Sequence, residues 1–226
     1  MLALRLGEKN ATPRRFILVD NASDDPLVPE VIEAFTRRGM FYAVHTMSTN
    51  DPSTQEVLYA QYRPSMGPYV VLADADVVVE AVRPDWLERM IRVMHPRPAL
   101  GLLGSALDVS DFVSMERARA VAPHLPEAVL RMLVKDRCPE RRQPAAGTAE
   151  VINPYPPAGR LLLARTQVLD VTGALIGNRR LCAAVEAAGF EVGIAPSVVH
   201  RHLSLLNLFD YPGYDYAQLH HYLGVG

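Results

Sequence analysis

A chain of 226 residues with 49% apolar and 21% charged content is long enough to bury a core and too mixed to be disordered or fibrous. Its formal net charge of −2 argues against a general nucleic-acid binder, and its two cysteines, Cys138 and Cys182, match no zinc spacing and fit free thiols in a reducing compartment. No apolar run approaches a membrane span and no signal-peptide pattern opens the chain, so the expectation is a cytoplasmic protein, peripheral at a membrane if it touches one.

In chain order, "RRFILVD" (14–20) reads as a β-rich strand ending in an acid, and "NASDDP" after it is turn chemistry. "PLVPEVIEAFTRRG" predicts a helix with Val28, Val31, Ile32 and Phe35 at helical spacing, closed by Gly39. "MFYAVHTM" predicts a strand, and "DPSTQEVLYAQYRPSM" a helix with Asp51 as N-cap. "PYVVLAD" has the continuous apolar character of a strand covered on both faces. "PDWLERMIRVMHP" predicts an amphipathic helix with Trp86, Leu87, Met90, Ile91 and Met94 on its buried side, and "ALGLLGSA" a further strand. Residues 114–137 read as helix in pieces broken at Pro123 and Pro126, followed by a polar loop, "CPERRQPAAGTAE". "GRLLLART" predicts a strand, "NRRLCAAVEAAGF" a helix closed by Gly189, and "EVGIAPSVVHRH" a closing strand. Residues 203–226 are aromatic and His-rich with no clear period.

This alternation predicts one α/β domain over 1–226 with a mainly parallel sheet. Ligands gather at the carboxyl ends of strands in such sheets, where Asp20 and the pair Asp74 and Asp76 stand, which predicts a shared site. Carboxylates one residue apart at a strand end can converge on a hard divalent cation, which in turn can bind phosphate oxygens. Against this stands the plain alternative that one aspartate caps the next segment and the other is solvated.

Two enzyme classes end a strand in D-x-D. "VVLADADVV" is similar to the motif of haloacid-dehalogenase-like phosphatases, in which the first aspartate is a nucleophile. That motif lies on the first core strand and needs a downstream lysine and an acidic metal motif. Here α/β units precede the pair, Lys135 is the one downstream lysine, and no paired acids follow in strand context.

More of the chain, from Arg14 to His202, resembles glycosyltransferase family 2, whose GT-A fold uses nucleotide-diphospho-sugars. The likeness lies in "FILVDNASDD", "STN" (48–50), "GPYVVLADADVVV", "PDWLERMIRVM", "PPAGRLLLARTQVLDVTG" (156–173) and "LCAAVEAAGFEVGIAPSVVHRH", in that order. It implies transfer of a sugar from a UDP-, GDP- or dTDP-sugar to an acceptor hydroxyl of unspecified kind, assisted by Mn²⁺ or Mg²⁺. It implies nucleotide-sugar contacts at Asp20, Asn21, Ser23, Asn50, Asp74 and Asp76, and metal ligation by Asp76, Asp74 and His200, with His202 the competitor.

Two departures qualify what it implies. The family's usual first strand is absent before "VDNASDD", so the expectation is a chain that begins late or an edge supplied by another segment or subunit. The acidic pair expected before the helix at "NRRLC" is replaced by Gly177 and Asn178, neither of which can serve as general base. Asp108, Asp111 and Glu150 are among the other acids able to serve as a relocated base; the alternatives are a mechanism that needs no enzyme base and a catalytically impaired relative that binds nucleotide-sugar with a partner. Trp86 reads as core, Tyr155 as sugar pocket or plain loop, Arg160 and Arg165 as phosphate-pairing or solvated, and His220 and His221 as surface residues.

Overall fold

The structure, a computed structural model, describes residues 12–51, 53–79, 84–108, 115–121, 123, 126, 127, 130, 151, 161–173 and 178–202. The described residues form two compact units, those up to Ser65 and those from Met66 on.

In the first unit, β1 (Ile17–Asp20) and β2 (Ala43–Thr46) pair in parallel, with Asp20 opposite Thr46. α1 (Leu27–Arg37) connects them. Val28, Ile32 and Phe35 of α1 are half-buried while Val31 is 52% exposed, so the helical stripe is narrower than its sequence spacing predicts. Gly39, at φ +66°, ends the turn after α1 in a conformation costly for any residue with a Cβ. α2 (Thr54–Tyr62) follows Asp51, whose Oδ1 accepts the Ser53 N–H at 2.8 Å in an Asx-turn; the residue preceding the helix is Ser53, which makes no side-chain cap, so Asp51 is a turn former and not the N-cap. The Ser53 backbone and side-chain hydrogen bonds hold the exposed Asp51 carboxyl below its usual range.

The second unit is built on one five-stranded sheet: β3 (Tyr69–Ala73), β4 (Val77–Val79), β5 (Leu100–Leu107), β6 (Leu161–Arg165) and β7 (Glu191–His202), in the order β3-β6-β5-β7-β4. β6 runs antiparallel to both β3 and β5, β4 antiparallel to β7, and only β5 and β7 are parallel. The sheet is therefore mixed, which corrects the expectation of a mainly parallel one. The cause is topological: β6 returns between β3 and β5 in the reverse direction, and the apolar run after Asp76 turns back as β4 instead of leaving as loop.

Packing follows from the sequence pattern. β5 is buried at every position, as a central strand with both faces covered should be. α3 (Trp86–Met94) begins at Asp85, whose Oδ1 accepts the Glu88 N–H at 2.8 Å, and buries Trp86, Leu87, Met90, Val93 and Met94; Ile91 is half-buried, with Val93 in the buried set beside it. The Arg92–Glu88 pair at 3.0 Å lies on its wet side. α4 (Met115–Val121) is the described helix after β5, α5 (Thr166–Thr172) follows β6 directly, and α6 (Asn178–Ala187) buries Leu181, Cys182 and Val185.

The β5–β7 register slips twice, between Leu100 and Leu102 and between Ser105 and Ala106. At the first slip a Cβ on Gly101 would stand 2.8 Å from Phe190 Cβ and 3.1 Å from Val185 Cγ1, so only glycine lets α6 and the start of β7 close on β5. At the second, Ala195 and Val199 pair with successive residues of β5, leaving Pro196, Ser197 and Val198 as extra chain on β7. Proline, which cannot donate to a ladder, sits where the ladder is interrupted.

Candidate functional site

Strand direction decides what comes together in the second unit. β3, β5 and β7 run the same way, so their carboxyl ends share one end of the sheet, where β4 and β6 begin. Asp74 follows the last residue of β3, Asp76 precedes the first residue of β4, and Asp108 follows the last residue of β5. All three are half-buried. Asp74 to Asp76 form the corner at which the chain leaves β3 for β4, closed by the Val77 N–H on the Asp74 carbonyl at 3.4 Å. The Asp108 N–H donates to the His200 carbonyl at 2.7 Å, extending the β5–β7 ladder into the acidic end.

Register sets the face on which each β7 side chain lies. Val79 pairs with His200 and Val77 with His202 across the β4–β7 ladder, whereas Val78 pairs with Arg201. Val77 and Val79 are buried, and His200 on their face is 0% exposed; Arg201, on the other face, is exposed. The His200 ring is held by Ser105 of β5: Nδ1 and Oγ are 2.7 Å apart, and the same Oγ stands 3.3 Å from the Leu161 carbonyl.

Two hard carboxylates at one corner suit a divalent cation that keeps several water or phosphate oxygens in its shell. Among the described residues, no group of three or more His, Cys, Asp or Glu side chains is gathered tightly enough to hold a metal. His200, 0% exposed, lies in the buried part of the sheet.

In the first unit, Asp20 is 8% exposed and its Oδ1 accepts the Ser23 N–H at 3.1 Å, so the "DNASDD" stretch does form an Asx-type turn at a strand end. Ala22 occupies the left-handed region at φ 61°, and the Asn21 Oδ1 is buried without a hydrogen-bond partner among the described residues. Ser23 and Asn50 are exposed.

Arg165 is neither a phosphate ligand in waiting nor a solvated charge. Its Nη2 donates to the carbonyls of Met94 at 2.7 Å and Arg97 at 3.0 Å, its Nε to that of Leu100 at 2.9 Å, and its guanidinium lies 5.7 Å from the Tyr69 ring centroid. It closes the carboxyl end of α3 and joins it to β5 and β6. Trp86 is core, as predicted. Cys182 is a buried thiol, pushed up to about 11 by burial first and by Glu186 second, and so is chemically quiet. Lys135, Cys138, Asp111, Glu150, Tyr155, Arg160, Gly177, His220 and His221 lie outside the described residues, as do the side chains of Asn178 and His202.

Sequence reasoning missed Ser105. Its signal was present: the one hydroxyl in "LGLLGSAL", a strand buried throughout, must find a partner inside the protein.

No protein-family model and no curated protein matches the chain. Among solved structures it is similar to GalNAc-T7, a GT-A glycosyltransferase, in a crystal structure with UDP, GalNAc and Mn²⁺. The TM-score is 0.51 at 14% identity, over 84% of this chain and 38% of that one. The likeness is one of fold: a mixed α/β architecture compatible with the GT-A type. No helix among the described residues is long and apolar enough to cross a membrane.

Proposed function

We propose that the chain is a nucleotide-diphospho-sugar transferase of GT-A type that moves a sugar to an acceptor hydroxyl with the help of Mn²⁺ or Mg²⁺. The observation that carries this reading is that Asp74, Asp76 and Asp108 each stand at the end of the sheet where three strands of common direction finish. The fold likeness to a protein crystallised with UDP, GalNAc and Mn²⁺ supports it.

Asp74 and Asp76 are the proposed holders of the cation and the donor diphosphate. When bound, a divalent cation neutralises charge on the departing diphosphate. A hard cation held by two carboxylates keeps open positions for phosphate oxygens, so cation affinity should rise when diphosphate joins the shell. Asp108 is the proposed general base that takes the acceptor hydroxyl proton; Asp108→Asn should lower turnover by about 10²- to 10⁴-fold while leaving nucleotide affinity in place. The "DNASDD" turn is proposed to contact the base through Asp20, with Asn21 and Ser23 beside it, and Asn50 is proposed to serve the donor.

The test is incubation with UDP-, GDP- and dTDP-sugars, Mn²⁺ and a panel of acceptors, read for nucleoside diphosphate release. Release that depends on Mn²⁺ supports the transferase. Donor binding without any consumption would favour a non-catalytic nucleotide-sugar-binding role, the reading to which the replacement of the expected acids by Gly177 and Asn178 points.

A further inference from the structure

β7 carries an interruption that its own ladder does not fix. Ala195 pairs with Ser105 and Val199 with Ala106, so Pro196, Ser197 and Val198 stand opposite no residue of β5. One residue more or fewer in that excess would turn every later side chain of β7 to the opposite face. His200 would leave the core and Arg201 would enter it, whereas His200 is buried and Arg201 exposed.

Arg89 reaches the excess from outside the ladder. It lies on α3, which packs against β7. Its Nη1 donates to the Ser197 carbonyl at 3.2 Å and its Nε to the Pro84 carbonyl at 2.9 Å. One half-buried guanidinium thus ties the middle of the bulge to the residue before the N-cap of α3. The helix is a firm anchor, since the Asp85 cap and the buried Trp86, Leu87 and Met90 hold that same end. Val198, buried at 3% exposure, pins the bulge on its inner side.

Two carboxylates depend on the register beyond the bulge. His200 to His202 pair with β4, which starts directly after Asp76. The His200 carbonyl accepts the Asp108 N–H at 2.7 Å. We propose that Arg89 is a positioning residue: by clasping Ser197 it fixes the register of β7 past the bulge, and so places Asp76 through β4 and Asp108 through the His200 carbonyl. That these carboxylates serve a nucleotide-sugar rests on the proposed function; the clasp does not.

The test uses Arg89→Met, which keeps an unbranched stem and loses the donors, and Arg89→Lys, which keeps a cation. Its first arm is residue-resolved amide hydrogen exchange, which reads local opening. In Arg89→Met the Asp108 amide should exchange about fivefold or more faster, as loss of a hydrogen bond to a charged group implies. The Glu191 amide, bonded to the Ala99 carbonyl at 2.7 Å where β7 begins before the bulge, should keep its wild-type rate. Arg89→Lys should fall between wild type and Arg89→Met. An Asp108 amide at the wild-type rate overturns the clasp, and so does equal acceleration at Asp108 and Glu191, which marks a general loss of stability.

The second arm measures UDP affinity in Mn²⁺ and in chelator. In Mn²⁺, Arg89→Met should bind UDP about fivefold or more weakly than wild type, with its chelator value unchanged. Unchanged affinity in Mn²⁺ beside a faster Asp108 amide overturns the service of the clasp to the site. A wild type whose UDP affinity ignores Mn²⁺ overturns the reading of Asp74 and Asp76 as cation holders, and the exchange rates then decide the clasp.

Discussion

Replacing Arg165 by alanine removes a guanidinium that donates to three carbonyls. Three carbonyls lose a charged donor: Met94 and Leu100, both buried residues, and Arg97, which is half-buried. Hydrogen bonds to a charged group contribute about 1.5–3 kcal/mol each. The two at buried residues therefore set a loss of about 3–6 kcal/mol, with about 0.5–1 kcal/mol more from the contact with Tyr69. The Met94 carbonyl keeps the Arg97 N–H at 3.0 Å, which recovers part of this, so about 3–5 kcal/mol is expected, comparable with the total stability of a marginal domain. Arg165→Lys keeps the charge and loses the planar fork, and should recover less than half of the loss. The assay is equilibrium urea unfolding of the three proteins, with UDP affinity measured on the folded fraction. A loss under about 1 kcal/mol, or a folded Arg165→Ala protein with weakened UDP binding, would refute the clasp and return Arg165 to the donor site.

Gly101→Ala places a Cβ against Phe190 and Val185 and should cost about 1–3 kcal/mol by overpacking, read as a shifted urea midpoint with no change in Mn²⁺-dependent UDP affinity. Ala22→Gly relieves a left-handed residue, a gain of about 1–2 kcal/mol set against about 0.5–1 kcal/mol of lost backbone restraint; net stabilisation is expected, and a lower unfolding midpoint contradicts it. Cys182 should resist thiol reagents at pH 8 until the protein unfolds. Because its folded value is raised from 9.0 to about 11, burial of the neutral thiol stabilises the fold below pH 9 and that stability falls as pH rises from 9 towards 11. A midpoint unchanged across that window in wild type relative to Cys182→Ala contradicts the assignment.

The strands and helices were legible because their apolar periods differ: "YVVLA" and "LLLAR" run continuously, while Trp86, Leu87, Met90 and Met94 recur at helical spacing. Strand direction was not legible. Nothing local in "LLLAR" says that it runs opposite to both neighbours, because direction is fixed by the path of the whole chain. "VVV" after Asp76 merged with the preceding apolar run, which concealed the corner that carries both aspartates. The carboxylates at strand ends were visible because acids rarely finish an apolar run. Arg165 was misjudged because its partners lie 65 to 71 residues away in sequence, and a guanidinium that satisfies carbonyls looks, on paper, like one that awaits phosphate.

The corner formed by Asp74 and Asp76 is proposed to hold a cation together with a nucleoside diphosphate. Calorimetric titration of UDP into wild type and Asp76→Asn, each in Mn²⁺ and in chelator, tests it most directly. Mn²⁺ should tighten wild-type binding by about tenfold or more, roughly 1.4 kcal/mol, and Asp76→Asn should abolish the difference. Equal wild-type affinity in Mn²⁺ and in chelator would contradict it and leave the pair a solvated corner between two strands.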